Sequence, residues 1–130
     1  MIKEIKKNDK LIALFVDNSE LLEDGTFPVT NPMFSLQLIM MKRKKGHVFD
    51  KHTHEKNERK IENLQEAIVV NKGKLLIKVC DRDGSDVGSY EVSSGQCLFM
   101  VDGGYEIEVL EDTLFYEFKN GPYIEDKVLL

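Results

Sequence analysis

Gly46-His47-Val48-Phe49-Asp50-Lys51-His52-Thr53-His54 opens the stretch on which the reading of this chain turns; it continues through Glu66 and closes on Gly73. In extended backbone Val48, Asp50, His52 and His54 share one face, and His47, Phe49, Lys51 and Thr53 share the other. The stretch therefore predicts a strand from Gly46 to His54. Two imidazoles at i and i+2 project side by side, and a carboxylate from a neighbouring strand would complete a metal site with them. The chain has three histidines, and two of them are this pair.

Working outward, the pattern is β nearly throughout. Leu11 to Val16 is a short apolar run, read as a buried strand. Asn18 to Pro32 carries Asp24-Gly25, Pro28, Asn31 and Pro32 and reads as loop, with one helical turn expected at Ser19–Glu23. Phe34, Leu36, Leu38 and Met40 alternate with Ser35, Gln37, Ile39 and Met41, which predicts a long strand; the Met40-Met41 pair is expected in the core. Glu55 to Asn63 is too hydrophilic for a core element and reads as an exposed loop or a single helical turn. Strands follow at Leu64–Val70, Lys74–Cys80, Ser89–Val92, Gln96–Val101, Tyr105–Leu110 and Thr113–Lys119. Between them lie Asn71-Lys72-Gly73, the hairpin signal Asp81-Arg82-Asp83-Gly84, Ser93-Ser94-Gly95, Asp102-Gly103-Gly104 and Glu111-Asp112. Many short strands with regular turn signals and no long helix predict a β-sandwich or barrel.

Length and composition agree. At 130 residues, 42% hydrophobic and 32% charged, the chain suits one globular domain, residues 1–130. No apolar run approaches the ~18 residues of a membrane helix. Met1 to Lys7 is charged and lacks the apolar stretch of a signal peptide, so a cytoplasmic location is the expectation. Cys80 and Cys97 form no CxxC and read as thiols packed as small hydrophobes.

The net charge of −5 is unevenly placed. Lys42 to Glu62 holds eight basic and four acidic residues, 8 − 4 = +4, so the remainder carries −5 − 4 = −9. A basic segment beside a pocket would attract an anionic ligand, while a solvated strand end is the plainer account. An acidic chain with no Trp and no interleaving of aromatic and basic residues argues against nucleic acid.

Gly46-x5-His52-x-His54 and Glu66-x6-Gly73 together resemble the first motif of the cupins, and Gly95-x5-Val101-x-Gly103 resembles the glycine frame of their second. The tail Gly121-Pro122-Tyr123 with Asp126-Lys127-Val128 is similar to that of small single-domain cupins associated with surface-polysaccharide and sugar metabolism. The resemblance implies an all-β, cupin-type jelly-roll barrel. It also implies a divalent transition metal (Zn, Ni, Fe or Mn) held by His52, His54 and Glu66. A homodimer is implied too, with the apolar strand Leu11–Val16 as the edge that meets its partner.

Two departures stand out. Eleven residues separate His54 from Glu66, more than the family uses, which is read as a longer hairpin loop; Glu55, Glu58 and Glu62 within it are poorer ligand candidates. The histidine that the family carries after the second glycine frame is missing, and Tyr105-Glu106 stands in its place. Spacing from Gly95 puts Glu106 on that position, whereas strand parity with Ile107 and Val109 points Tyr105 inward. Tyr105 is the candidate acid or base. His47 is expected on the surface, and Asp50 is a candidate acceptor that would orient His52.

Two functions follow. One is a metal-dependent enzyme acting on a small sugar-like or anionic metabolite, by isomerase, epimerase, lyase or iron-dependent oxygenase chemistry. The other is a non-catalytic module, with or without a metal, that binds a sugar or metabolite in a regulatory or accessory role.

Overall fold

β-branched and aromatic residues spaced two apart, punctuated by glycines, fold here into ten strands and no helix. A computed structural model describes all 130 residues. The strands are β1 (Ile2–Lys7), β2 (Lys10–Asp17), β3 (Gly25–Pro28), β4 (Ile39–Lys42), β5 (Glu66–Lys72), β6 (Lys74–Cys80), β7 (Asp86–Ser93), β8 (Gln96–Met100), β9 (Gly104–Val109) and β10 (Leu114–Lys119). They form a five-stranded sheet in the order β1-β2-β8-β5-β10, a three-stranded sheet β7-β6-β9 and a β3-β4 hairpin, with every pair antiparallel.

The two larger sheets face each other across one core. Ile12, Ile68, Val70 and Leu98 of the first meet Leu75, Ile77, Val79 and Val92 of the second, all fully buried or nearly so. At roughly 1.5–3 kcal/mol for each buried aliphatic side chain, this layer is the main source of stability. A second apolar layer lies on the outer face of the five-stranded sheet. There Leu14, Val16, Ala67, Cys97 and Phe99 are covered by Val29, Phe34, Leu36, Leu38 and Met40. Phe34 stacks on Phe99 with ring centroids 6.4 Å apart.

Glycines make the crossings between sheets. Gly73, at φ +101°, turns β5 into β6; a Cβ there would lie 2.4 Å from Thr113 Oγ1. Gly103, at φ +79°, turns β8 towards β9, and a Cβ would lie 2.3 Å from the Cys80 carbonyl oxygen. Only glycine fits either place.

Several expectations are corrected. Gly46–His54 is not a strand: from Arg43 to Leu64 the backbone joins no sheet. Its alternation finds no partner strand, and its apolar residues Val48 and Phe49 stay exposed. The long strand over Phe34–Met41 shrinks to Ile39–Lys42, although the alternating apolar residues do line the outer layer. Ser19–Glu23 makes no helix, and Gly25–Pro28, read as loop, is a strand. The charged N-terminus forms β1, with Ile5 its one buried residue. The Leu11–Val16 strand is not an edge, because β1 and β8 flank it. The sheets do not close into a barrel: β1 and β10 bound one, β7 and β9 the other.

Candidate functional site

The polar side chains that point between the sheets converge at the end of β5. Glu66, Ile68 and Val70 of β5 face inward, and their partners on β10 are Lys119, Glu117 and Phe115. Residues directly opposite one another in an antiparallel pair lie on the same face, so Glu117 and Lys119 also point inward. From the facing sheet Tyr105, paired with Val79, follows the parity of Ile107 and packs against the core.

The Tyr105 hydroxyl donates to Glu117 Oε1 at 3.0 Å, tying the two sheets together. Glu66 flanks the same hydroxyl. Lys119 Nζ stands 3.8 Å from Glu66 Oε1 and 3.7 Å from Glu117 Oε1. Burial pushes the Glu66 carboxyl up from its ordinary range, and the nearby Glu117 charge adds to this; Tyr105 and Lys119 oppose it. The Tyr105 phenol is also pushed well up, first by burial and then by its carboxylate neighbours. It therefore stays a hydrogen-bond donor at neutral pH. Two carboxylates, one phenol and one ammonium leave the cluster with a formal charge of −1 when both acids are ionised.

Of the two residues between which spacing and parity divided, Tyr105 is the inward one and Glu106 is exposed. Its hydroxyl meets Glu117 and Glu66, however, and not the histidines. His52 and His54 lie together on the Arg43–Leu64 segment, with ring centroids 5.3 Å apart and both side chains exposed. His52 Nδ1 lies 2.7 Å from the Asp50 backbone carbonyl. A carbonyl only accepts, so this nitrogen carries a proton. The orienting acceptor is thus the Asp50 backbone and not its carboxylate. Strand pairing does not bring Glu66 to the histidines; its β-partners are Met100 and Lys119. No three His, Cys, Asp or Glu side chains are arranged to hold an ion. The donor set His52, His54 and Glu66 does not fit a metal in this arrangement.

Cys97 is buried, its thiol pushed up to about 12 by burial, and Cys80 is half-buried; both are free. This agrees with their reading as packed thiols.

Two features escaped sequence reasoning. Glu117 is one: Leu114, Phe115, Tyr116 and Phe118 surround it with apolar residues on both parities, so alternation alone does not say which face it takes. The other is a polar clamp beside a cleft of about 620 Å³ lined by Lys10, Phe34, Ser35, Lys60, Gln65 and Asp102 among others. Buried Gln65 donates to the Val101 carbonyl and receives the Leu36 N–H, while Asn120 Oδ1 takes the Gln65 N–H. Lys10 pairs with Asp81 and Asp102 at 3.2 and 3.0 Å.

Compared with known proteins, the chain matches no family model, no curated sequence and no solved structure. No helix is long and apolar enough to cross a membrane.

Proposed function

We propose that this chain is a cupin-like jelly-roll module that binds a small, neutral, sugar-like metabolite between its sheets, in a non-catalytic regulatory or accessory role. The jelly-roll reading is supported by the chain path, in which β5, β8 and β10 lie in one sheet and β6, β7 and β9 in the other. Such alternation is what two interleaved Greek keys require.

The observation that carries the ligand class is the Glu66–Tyr105–Glu117 cluster. Carboxylates accept from sugar hydroxyls and a phenol donates to them, so one polyol could satisfy all three groups. An anion would meet two carboxylates against a single Lys119, which favours a neutral ligand over an acidic one. Tyr105 then acts as the orienting donor.

Titration calorimetry with a panel of neutral monosaccharides and sugar acids tests this. Saturable binding of a neutral sugar is expected, weakened about tenfold in Tyr105→Phe by the loss of one hydrogen bond. Binding only of the acids, or of no member of the panel, would overturn the reading.

A second reading, the metal-dependent enzyme, is favoured by the adjacency of His52 and His54. It predicts stoichiometric Zn, Ni, Fe or Mn in protein purified without a histidine tag, lost when both histidines become Ala. Elemental analysis finding no such metal would remove it.

A further inference from the structure

The turn that follows β4 gathers cations around an open groove. Lys44-Lys45-Gly46-His47 closes through the His47 N–H, which donates to the Lys44 carbonyl at 3.2 Å. Gly46, third in that turn, has φ +93°, a conformation that glycine adopts without strain. Gly25 pairs with Lys42 in the β3–β4 hairpin, so the start of β3 lies opposite the turn. The groove between them is about 430 Å³ and is lined by Asp24, Gly25, Arg43, Lys44, Lys45 and His47, with no apolar side chain among them.

Arg43 is fixed in place. Its guanidinium donates to the Lys42 carbonyl at 2.8 Å and to the Thr26 hydroxyl, and it lies over the Phe49 ring, 5.2 Å from the centroid. His47 meets the same ring edge-on, with centroids 4.7 Å apart. Phe49, which the core leaves exposed, is thus the platform that holds both groups. A guanidinium has five N–H donors; two are engaged, so three remain for a ligand. Lys44 Nζ stands 3.8 Å from the Asp24 carboxylate and is largely exposed. Lys42 takes no part, because its ammonium donates to the Leu22 carbonyl at 2.8 Å. Arg43, Lys44 and Lys45 against Asp24 leave 3 − 1 = +2 before His47 is counted. A solvated run of lysines needs no such platform; what sets this turn apart is a guanidinium and an imidazole held on one ring.

We propose that this groove binds the doubly charged phosphate group of a phosphate ester. The guanidinium fork engages two of its oxygens, and Lys45 and His47 donate to the others. A dianion matches the charge of +2, whereas a single carboxylate leaves half of it unmatched. None of these residues belongs to the Glu66–Tyr105–Glu117 cluster, so the site stands or falls apart from what that cluster binds.

An NMR titration of inorganic phosphate into the full chain at low ionic strength tests this. Saturable binding is expected, with the largest amide shifts between Arg43 and Phe49. Arg43→Gln should weaken it about tenfold. Phe49→Leu keeps every charge and should still weaken it about threefold, by loosening the platform. Lys51→Gln removes the same charge from an exposed position outside the groove and should leave the affinity within about twofold. Circular dichroism checks that each variant keeps its fold. Co-sedimentation with phosphatidylcholine vesicles, with and without phosphatidic acid, gives the source of the phosphate. Capture only by the phosphatidic acid vesicles, reversed by inorganic phosphate, makes it a lipid headgroup; no capture, with phosphate bound in solution, makes it a soluble ester. No saturable phosphate binding, equal losses in Arg43→Gln and Lys51→Gln, or an affinity unmoved by Phe49→Leu would each overturn the proposal.

Discussion

The sandwich strands between Glu66 and Lys119 and the segment from Arg43 to Leu64 treat alternating sequence in opposite ways. In the sandwich, Leu75, Ile77 and Val79 alternate with Leu76, Lys78 and Cys80, and the first three are buried against the facing sheet. In the segment, Val48, Asp50, His52 and His54 alternate just as cleanly, yet all four are exposed. Periodicity sets which face a side chain takes, but burial decides whether the strand exists. One face of β6 offers three apolar side chains to a partner sheet. One face of Gly46–His54 offers a single Val, and the energy gained by burying it does not offset the entropy of ordering nine residues.

The sharpest way to break the comparison is to hollow out each side. Ile77→Ala, at a fully buried position, should cost about 2–5 kcal/mol in urea unfolding. Phe49→Ala in the segment should stay within about 0.5 kcal/mol. Equal losses would mean that the segment belongs to the cooperative core.

Glycine sharpens it next. Gly103 and Gly46 both have φ near +80 to +95°, at +79° and +93°. A Cβ at Gly103 collides with the Cys80 carbonyl, while at Gly46 it meets nothing within 4 Å. Gly103→Ala should therefore lower the thermal midpoint by several degrees more than Gly46→Ala, since about 1 kcal/mol moves a domain of this size by roughly 3–6 °C.

A pH titration of unfolding probes the inward cluster. The folded Glu66 carboxyl sits above its ordinary 4.5. The native state then holds the proton more tightly than the unfolded chain, and stability falls as pH rises from 4.5 through the raised value. Glu66→Gln should flatten that decline; an unchanged profile would show that another group causes it.

The smallest effect is expected at Asp17. Its carboxylate accepts from the Ser19 N–H at 2.8 Å and from Gln96 Nε2 at 3.0 Å. Hydrogen bonding with Ser19 and Gln96 holds it down to about 2. Here the sign reverses: the stabilisation is complete above 3.8 and is lost as pH falls through about 2. Asp17→Asn should remove a modest part of the acid sensitivity, as read from unfolding curves between pH 2 and 4.

Much of the sandwich was legible because its local signals agree with its packing. The Asp81–Gly84 turn is there, with the Gly84 N–H donating to the Asp81 carbonyl, and the parity of Tyr105 with Ile107 placed the ring correctly. β1 was hidden because an edge strand disguises itself with Lys3, Glu4, Lys6 and Lys7. The partners of Tyr105 were hidden for another reason. A spacing motif reports positions along the chain, whereas Glu117 reaches the phenol through the register of β10 on β5, and that register is set by contacts between residues almost fifty apart. The structure does not set Glu66 beside the histidines for a related cause: that grouping needs a strand that the segment does not form.

The pairing of β2 with β8 has a consequence for the newly made chain. Ala13 lies opposite Met100, so an early strand waits for a late one. At about 5–20 residues per second, the ribosome needs roughly 4–17 s to deliver the intervening stretch. During that interval Ile12, Leu14 and Val16 are available to whatever else is nearby. The β1–β2 hairpin, whose strands are neighbours in sequence, is the first shield that can form over them. The lysines of β1 thus guard the nascent protein as well as the finished edge.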